Sequence, residues 1–167
     1  MKTQIYQYYV EGEDEKSLIN TLKSDMRCIA AGKVDVFYVV QNTFSSSRLR
    51  TLKNGTIVVL VYDTDVDNVD ILRRNIKHLK SQRMIKDVFC IPQVENLEDA
   101  LVDACDVNKA QDITHSKTKK DFKRDLIKCS NLDSRLKNCN FDVEKLWIKV
   151  PRNDFKEFGN DAEKIKQ

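Results

Sequence analysis

Apolar residues are laid along this chain in two alternating modes: short unbroken runs, and longer stretches in which they recur every three or four positions. Ile57-Val58-Val59-Leu60-Val61-Tyr62 is the cleanest run, and it ends in Asp63-Thr64-Asp65-Val66-Asp67. A β-branched run of this length bounded by turn formers predicts a strand buried on both faces, as inside a parallel sheet. Further strands are predicted over Gln4 to Val10, Val34 to Val40 and Asp87 to Pro92, with Pro92 suited to a strand end. Leu18, Ile19, Leu22 and Met26 predict a helix packing over about Glu15 to Arg27, started after Gly12 by Glu13 or Asp14 with a carboxylate-rich first turn, and left through a turn at Ala30-Ala31-Gly32-Lys33. Val69, Leu72, Ile76 and Leu79 predict a second helix, with Arg73, Arg74, Lys77 and Lys80 outside, and Glu95 to Ala104 a third. Ser45, Ser46 and Ser47 precede a short turn through Leu52, and capping is favoured there over phosphate contact.

Strand and helix alternate through this region, so the connections are crossovers and the fold class is α/β: a mainly parallel, three-layer Rossmann-like sheet with helices on both faces. From about Lys109 the pattern changes. Lys117, Lys119, Lys120, Lys123, Arg124 and Lys128 gather on a predicted helix whose buried side is Phe122 and Leu126. Solubility and i,i+4 pairing account for most such helices, and contact with a phosphate backbone is the functional alternative. Phe141 to Val150, with Trp147, is apolar enough to dock on the domain as a strand or helix, and the tail from Pro151 is expected to fray. Residues 1–106 are read as the catalytic domain, and 107–167 as a helical extension packed on it.

Composition narrows the chemistry. Four Gly, two Pro and 33% charged residues in 167 describe a folded domain able to bury its own core. No apolar run reaches membrane-spanning length and Met1-Lys2-Thr3-Gln4 lacks a signal-peptide core, which makes the cytoplasm the expected address and a membrane partner unexpected. Cys28, Cys90, Cys105, Cys129 and Cys139 are odd in number and include no C-x-x-C pair, so reduced thiols are expected. With only His78 and His115, a zinc site or a Ser-His-Asp triad has little material, and any metal chemistry must be carried by oxygen. A net charge of +3 does not by itself indicate nucleic acid.

The acids supply the chemistry. Glu11 ends the first predicted strand, and Asp63, Asp65 and Asp67 follow the third. In an open α/β sheet ligands bind beyond the carboxyl ends of the strands, so neighbouring first and third strands would bring these carboxylates together. Like charges held that close favour a cation between them, and a hard divalent ion suits oxygen donors. An acidic helix cap needs one carboxylate; three at alternate positions plus Glu11 exceed it.

Glu11-Gly12 after the first strand and Asp63-Thr64-Asp65-Val66-Asp67 after the third resemble the paired motifs of the Toprim family, over roughly residues 4 to 95. The resemblance implies a Toprim-like fold and Mg2+- or Mn2+-dependent chemistry on phosphodiester bonds of DNA or RNA. By position, Asp63 and Asp65 correspond to metal ligands, Asp67 to a further or water-mediated ligand, and Glu11 to a ligand or general acid/base. Glu15 is similar to a second acidic position of the OLD-type nucleases, and Glu95 is a weaker match to an acidic position after the fourth strand. Lys119, Lys120, Lys123 and Arg124 are the candidate substrate contacts. A topoisomerase or primase would need further domains, and Tyr6, Tyr8, Tyr9, Tyr38 and Tyr62 fall in predicted strands as sheet residues. What remains is a small single-domain nuclease of the RloB-like or AbiL-type kind, which implies a setting in anti-phage defence beside an ATPase partner. A receiver-like phosphoacceptor domain, or an inactive Toprim module that only binds nucleic acid or protein, are the alternatives.

Overall fold

The computed structural model describes residues 3–167. Strands β1 (Ile5–Val10), β2 (Gly32–Val36), β3 (Thr56–Asp63) and β4 (Ile85–Gln93) are all parallel and lie in the order β2-β1-β3-β4. Helices α1 (Glu13–Asn20), α2 (Ser46–Leu49) and α3 (Asp70–Lys80) belong to the crossovers, and α4 (Leu97–Ala104), α5 (Gln111–Thr114), α6 (Phe122–Lys128) and α7 (Leu132–Asn138) follow the last strand. The fold is α/β and three-layered, as the hydrophobic pattern predicts.

β3 owes its central place to its composition. Its side chains alternate between two cores, with Ile57, Val59 and Val61 facing α1, α4, α6 and α7, and Val58, Leu60 and Tyr62 facing α2 and α3. Beyond residue 107, Ile113, Phe122, Leu126, Leu136, Leu146 and Trp147 complete the first of these cores. The five cysteines are free thiols. Among the described residues no helix is long and apolar enough to cross a membrane.

Several elements differ from the sequence reading. β2 runs from Gly32 to Val36, two residues earlier than expected at its start and four at its end. Gly32 lies inside the pairing with β1 because a Cβ there would stand 2.5 Å from the Tyr6 carbonyl oxygen, so the expected turn residue is required by close strand approach. Val39 and Val40 are buried outside any strand, in a loop held by Asn75, whose Nδ2 donates to the Val39 and Asn42 carbonyls, each at 2.7 Å. α1 starts at Glu13, as expected, with Glu13, Asp14 and Glu15 in its first turn, but passes into a π turn over Thr21–Asp25. Ser45 does cap α2, accepting from the Arg48 N–H at 3.3 Å.

The segment expected as a last strand or helix over 141–150 contains only a 3-10 turn (Val143–Lys145), yet it docks through buried Leu146 and Trp147. The tail is the larger correction. Past Pro151 it forms 3-10 turns at Asp154–Phe158 and Ala162–Lys164, buries Phe155 and Ile165, and bridges Lys166 to Ile29. Its few apolar residues are well separated, and their burial outweighs the polar composition that predicted fraying.

Candidate active site

With β1 and β3 adjacent and in parallel register (Tyr9 beside Leu60), Glu11 and Asp63 leave the same edge of the sheet together. The Asp63 N–H donates to Glu11 Oε1 at 3.1 Å, joining residues 52 apart in sequence. Glu11, Gly12, Asp14, Glu15, Tyr38, Asp63, Asp65 and Lys123 line a cavity of about 250 Å³ at this edge.

Each acid is set by its element. Glu11 and Asp63 end strands; Asp14 and Glu15, both buried, project from the first turn of α1. Gly12 permits their approach, since a Cβ there would lie 2.7 Å from Asp14 Oδ1 and 3.1 Å from Glu15 Oε2. The loop carrying Asp63 and Asp65 is clamped at Thr64, whose N–H donates to the Gln93 carbonyl at 3.2 Å and whose carbonyl accepts from Asn153 Nδ2 at 3.1 Å. Asp63 Oδ1 accepts from Gln93 Nε2 at 2.7 Å.

Burial and crowding disfavour negative charge here. Burial, then the charge of Asp63, pushes the Glu11 carboxyl up to about 9, against the Asp63 N–H that it accepts. Glu15 is likewise raised to about 9 by burial and by its hydrogen-bonding and charge interaction with Asp14. Asp63 rises to about 7 through burial, with Gln93 opposing and Asp65 and Glu98 adding to the shift. Asp14 Oδ2 and Glu15 Oε2 are buried and receive no hydrogen bond. Two such acceptors on neighbouring carboxylates need a proton or a cation close by.

The donor set therefore fits a hard divalent cation: carboxylate oxygens, two of them buried without a donor, in a cradle kept open by a glycine. Among the described residues, no three His, Cys, Asp or Glu side chains are already spaced as ligands to one ion. Glu11 Oε1 and Asp63 Oδ1 are instead engaged with the Asp63 N–H and with Gln93.

Of the acids picked out from sequence, Glu11, Glu15, Asp63 and Asp65 come together, and two do not. Asp67 is exposed and does not line the cavity, because the chain has turned toward α3 by then. Glu95 is exposed, in the left-handed region at φ 66°, where it leads into the Asn96 cap of α4. The basic cluster also divides. Lys123 lines the cavity with its Nζ 3.9 Å from Asp14 Oδ2, and the charges of Asp14, Glu98, Glu15 and Asp63 raise its pKa against the opposing effect of burial. Lys119 borders a separate cavity and Lys120 is exposed, both in a 3-10 turn before α6, while Arg124 pairs with Asp121 at 3.0 Å and Asp125 at 3.2 Å. The lysine-rich segment thus gives the cavity one cation, since α6 starts only at Phe122.

Asp14, Tyr38 and Gln93 also stand at the site, and nothing in the motif pattern marks them. Tyr38, expected as a sheet residue, stands beyond the end of β2 at the cavity wall, its phenol raised by burial and by Glu11, Asp65 and Asp63. Asp14 could have been found from its place beside Glu15 in an acidic first turn. Gln93 ends β4 opposite Asp63, a pairing that becomes visible only with the register. No protein-family model, no curated protein and no solved structure matches the chain.

Proposed function

We propose that this chain is a divalent-cation-dependent nuclease that hydrolyses phosphodiester bonds of DNA or RNA. The observation that carries the reading is the Glu11 carboxylate on the Asp63 N–H at 3.1 Å, which joins the ends of β1 and β3 into one acidic pocket. Glu11, Asp63 and Asp65 are the residues that would hold Mg2+ or Mn2+, with Asp14 and Glu15 behind them. When bound, such an ion lowers the pKa of water and offsets charge on a phosphate. The chain's own groups supply the rest. Lys123, among the described residues the one basic side chain lining the cavity, meets the negative charge of a backbone phosphate, and Tyr38 offers a hydroxyl beside it. Glu11 keeps one oxygen on the Asp63 N–H and has the other free to carry a proton. Because these acids favour protons in the metal-free protein, cation binding releases protons and strengthens as pH rises.

The motif resemblance to Toprim nucleases supports the same reading, and with it the cytoplasmic, anti-phage setting and the ATPase partner that such proteins imply. The test is incubation of wild type and Asp63→Ala with plasmid and with total RNA, in Mg2+ and in Mn2+. Wild type cuts one of the two and chelation stops it; Asp63→Ala is slower by at least about a hundredfold, as for loss of a group central to a metal-assisted step. Equal cutting by both proteins rejects the assignment.

A further inference from the structure

Trp147 and Gln93 are both buried in the core beneath the pocket, with 3% and 1% of their surfaces exposed. The Trp147 indole N–H donates to Gln93 Oε1 at 3.2 Å, and Gln93 Nε2 donates to Asp63 Oδ1 at 2.7 Å. An indole nitrogen can only donate, so it fixes which end of the Gln93 amide is oxygen and turns the amino end toward Asp63. Trp147 is itself held in an uncommon backbone conformation, φ 58°, with its carbonyl accepting from Asn160 Nδ2 at 2.6 Å. Left-handed backbone at a bulky residue costs free energy and persists only where the surroundings enforce it. Six residues on, Asn153 Nδ2 donates to the Thr64 carbonyl at 3.1 Å, between Asp63 and Asp65. One short segment near the chain's end thus grips the acidic loop at two points.

We propose that the segment 147–153 is a positioning element of the acidic site: Trp147, through Gln93, holds one oxygen of Asp63 so that the other is presented to the pocket, while Asn153 fixes the loop backbone. Its consequence for metal uptake rests on the nuclease reading; the hydrogen-bonded relay does not. Partners one step behind a metal-binding group commonly change affinity by about 10–100-fold when removed, because they set its orientation.

The test uses the full chain and two readouts. In metal-free protein, exchange of the Trp147 indole hydrogen is followed by NMR; Trp147 is the only tryptophan, so its signal is unambiguous. Gln93→Leu speeds that exchange by about tenfold, the change expected when the indole's own bond, worth about 1.4 kcal/mol, is lost; Asp63→Ala, which frees the other end of the Gln93 amide, speeds it by a smaller factor, and Asp65→Ala leaves it unaltered. In Mn2+ titrations followed by calorimetry, Trp147→Phe and Gln93→Leu weaken binding by at least about tenfold. Leu146→Ala, which opens the same core but removes no hydrogen bond of the relay, leaves Mn2+ affinity at the wild-type value and shows what destabilisation alone does. Indole exchange insensitive to both Asp63→Ala and Gln93→Leu overturns the relay, as does Leu146→Ala weakening Mn2+ as much as Gln93→Leu. Wild type that takes up no Mn2+ rejects the nuclease reading, and the indole readout still decides the relay.

Discussion

Glu11, Glu15 and Asp63 give the metal-free protein an unusual dependence on pH. All three are raised, to about 9, 9 and 7, chiefly by burial, so the folded state binds their protons more tightly than the unfolded chain does. The stability they contribute is fully present below the unfolded carboxylate range, near pH 4, and is lost as pH climbs through 7 toward 9. In EDTA, Tm therefore falls between pH 5 and pH 9, and a saturating divalent cation raises it more at pH 8 than at pH 5. Glu15→Gln removes the cost of keeping a buried carboxyl protonated at pH 8, and raises Tm of the metal-free protein at that pH by roughly 2–4 °C, the change that about 1 kcal/mol makes in a chain of this size. A differential scanning fluorimetry series in EDTA and in Mg2+ reads both effects. Tm flat from pH 5 to 9, or lowered by Glu15→Gln, contradicts this electrostatic account.

At the scale of the element, α6 shows how one residue of helical phase decides which charge reaches the cavity. Phe122 and Leu126 face the core at the i,i+4 spacing that the sequence displays, and this fixes the rotation of the helix. Lys123, one position past Phe122, falls at the cavity, while Arg124 turns to Asp121 and Asp125. If the chain is the nuclease proposed above, Lys123→Ala slows cleavage about 10–100-fold through loss of charge next to a phosphate in the cavity, with Lys120→Ala and Arg124→Ala within about twofold of wild type, the range of exposed charges. Steady-state cleavage rates at fixed ionic strength separate these outcomes, and equal losses in all three would make the effect a diffuse field. The hydrophobic run of β3, the period of α3 and the acids at the strand ends are local patterns, so they were legible before any coordinates. The selection of Lys123 from its neighbours was not, because it depends on α1 and α6 packing together. Gln93 and Trp147 were illegible for a related reason: each is an ordinary core residue on its own, and only β4 register and the path of the chain after α7 make them a pair.

For the whole molecule, the order β2-β1-β3-β4 does two things: it puts the ends of β1 and β3 side by side, and it leaves β4 as an edge. That order is shared with flavodoxin-like and receiver folds, so the acid set rather than the topology argues for phosphodiester chemistry, and labelling of Asp63 by acetyl phosphate would favour the signalling alternative. The exposed edge is managed by the tail. Asp161 accepts from the Cys90 N–H through Oδ2 at 2.9 Å and donates its own N–H to the Cys90 carbonyl at 2.8 Å, while Phe155 stacks on Tyr62 with ring centroids 5.8 Å apart. An uncovered edge of this kind invites pairing with other chains. Phe155→Ala should destabilise by about 3–5 kcal/mol, the usual cost of emptying a fully buried aromatic site, and leave Mn2+ affinity near the wild-type value at temperatures where the variant is folded. Ending the chain at residue 150 removes Asn153, Phe155, Asn160 and Asp161 together, so it should lower Tm further, promote concentration-dependent association and weaken Mn2+ binding, because the supports of Thr64 and Trp147 go with the edge cover. Urea denaturation, light scattering and calorimetry on the two proteins measure these separately. A truncated chain whose association, stability and metal affinity match those of the full chain would show that the tail supports neither the edge nor the site.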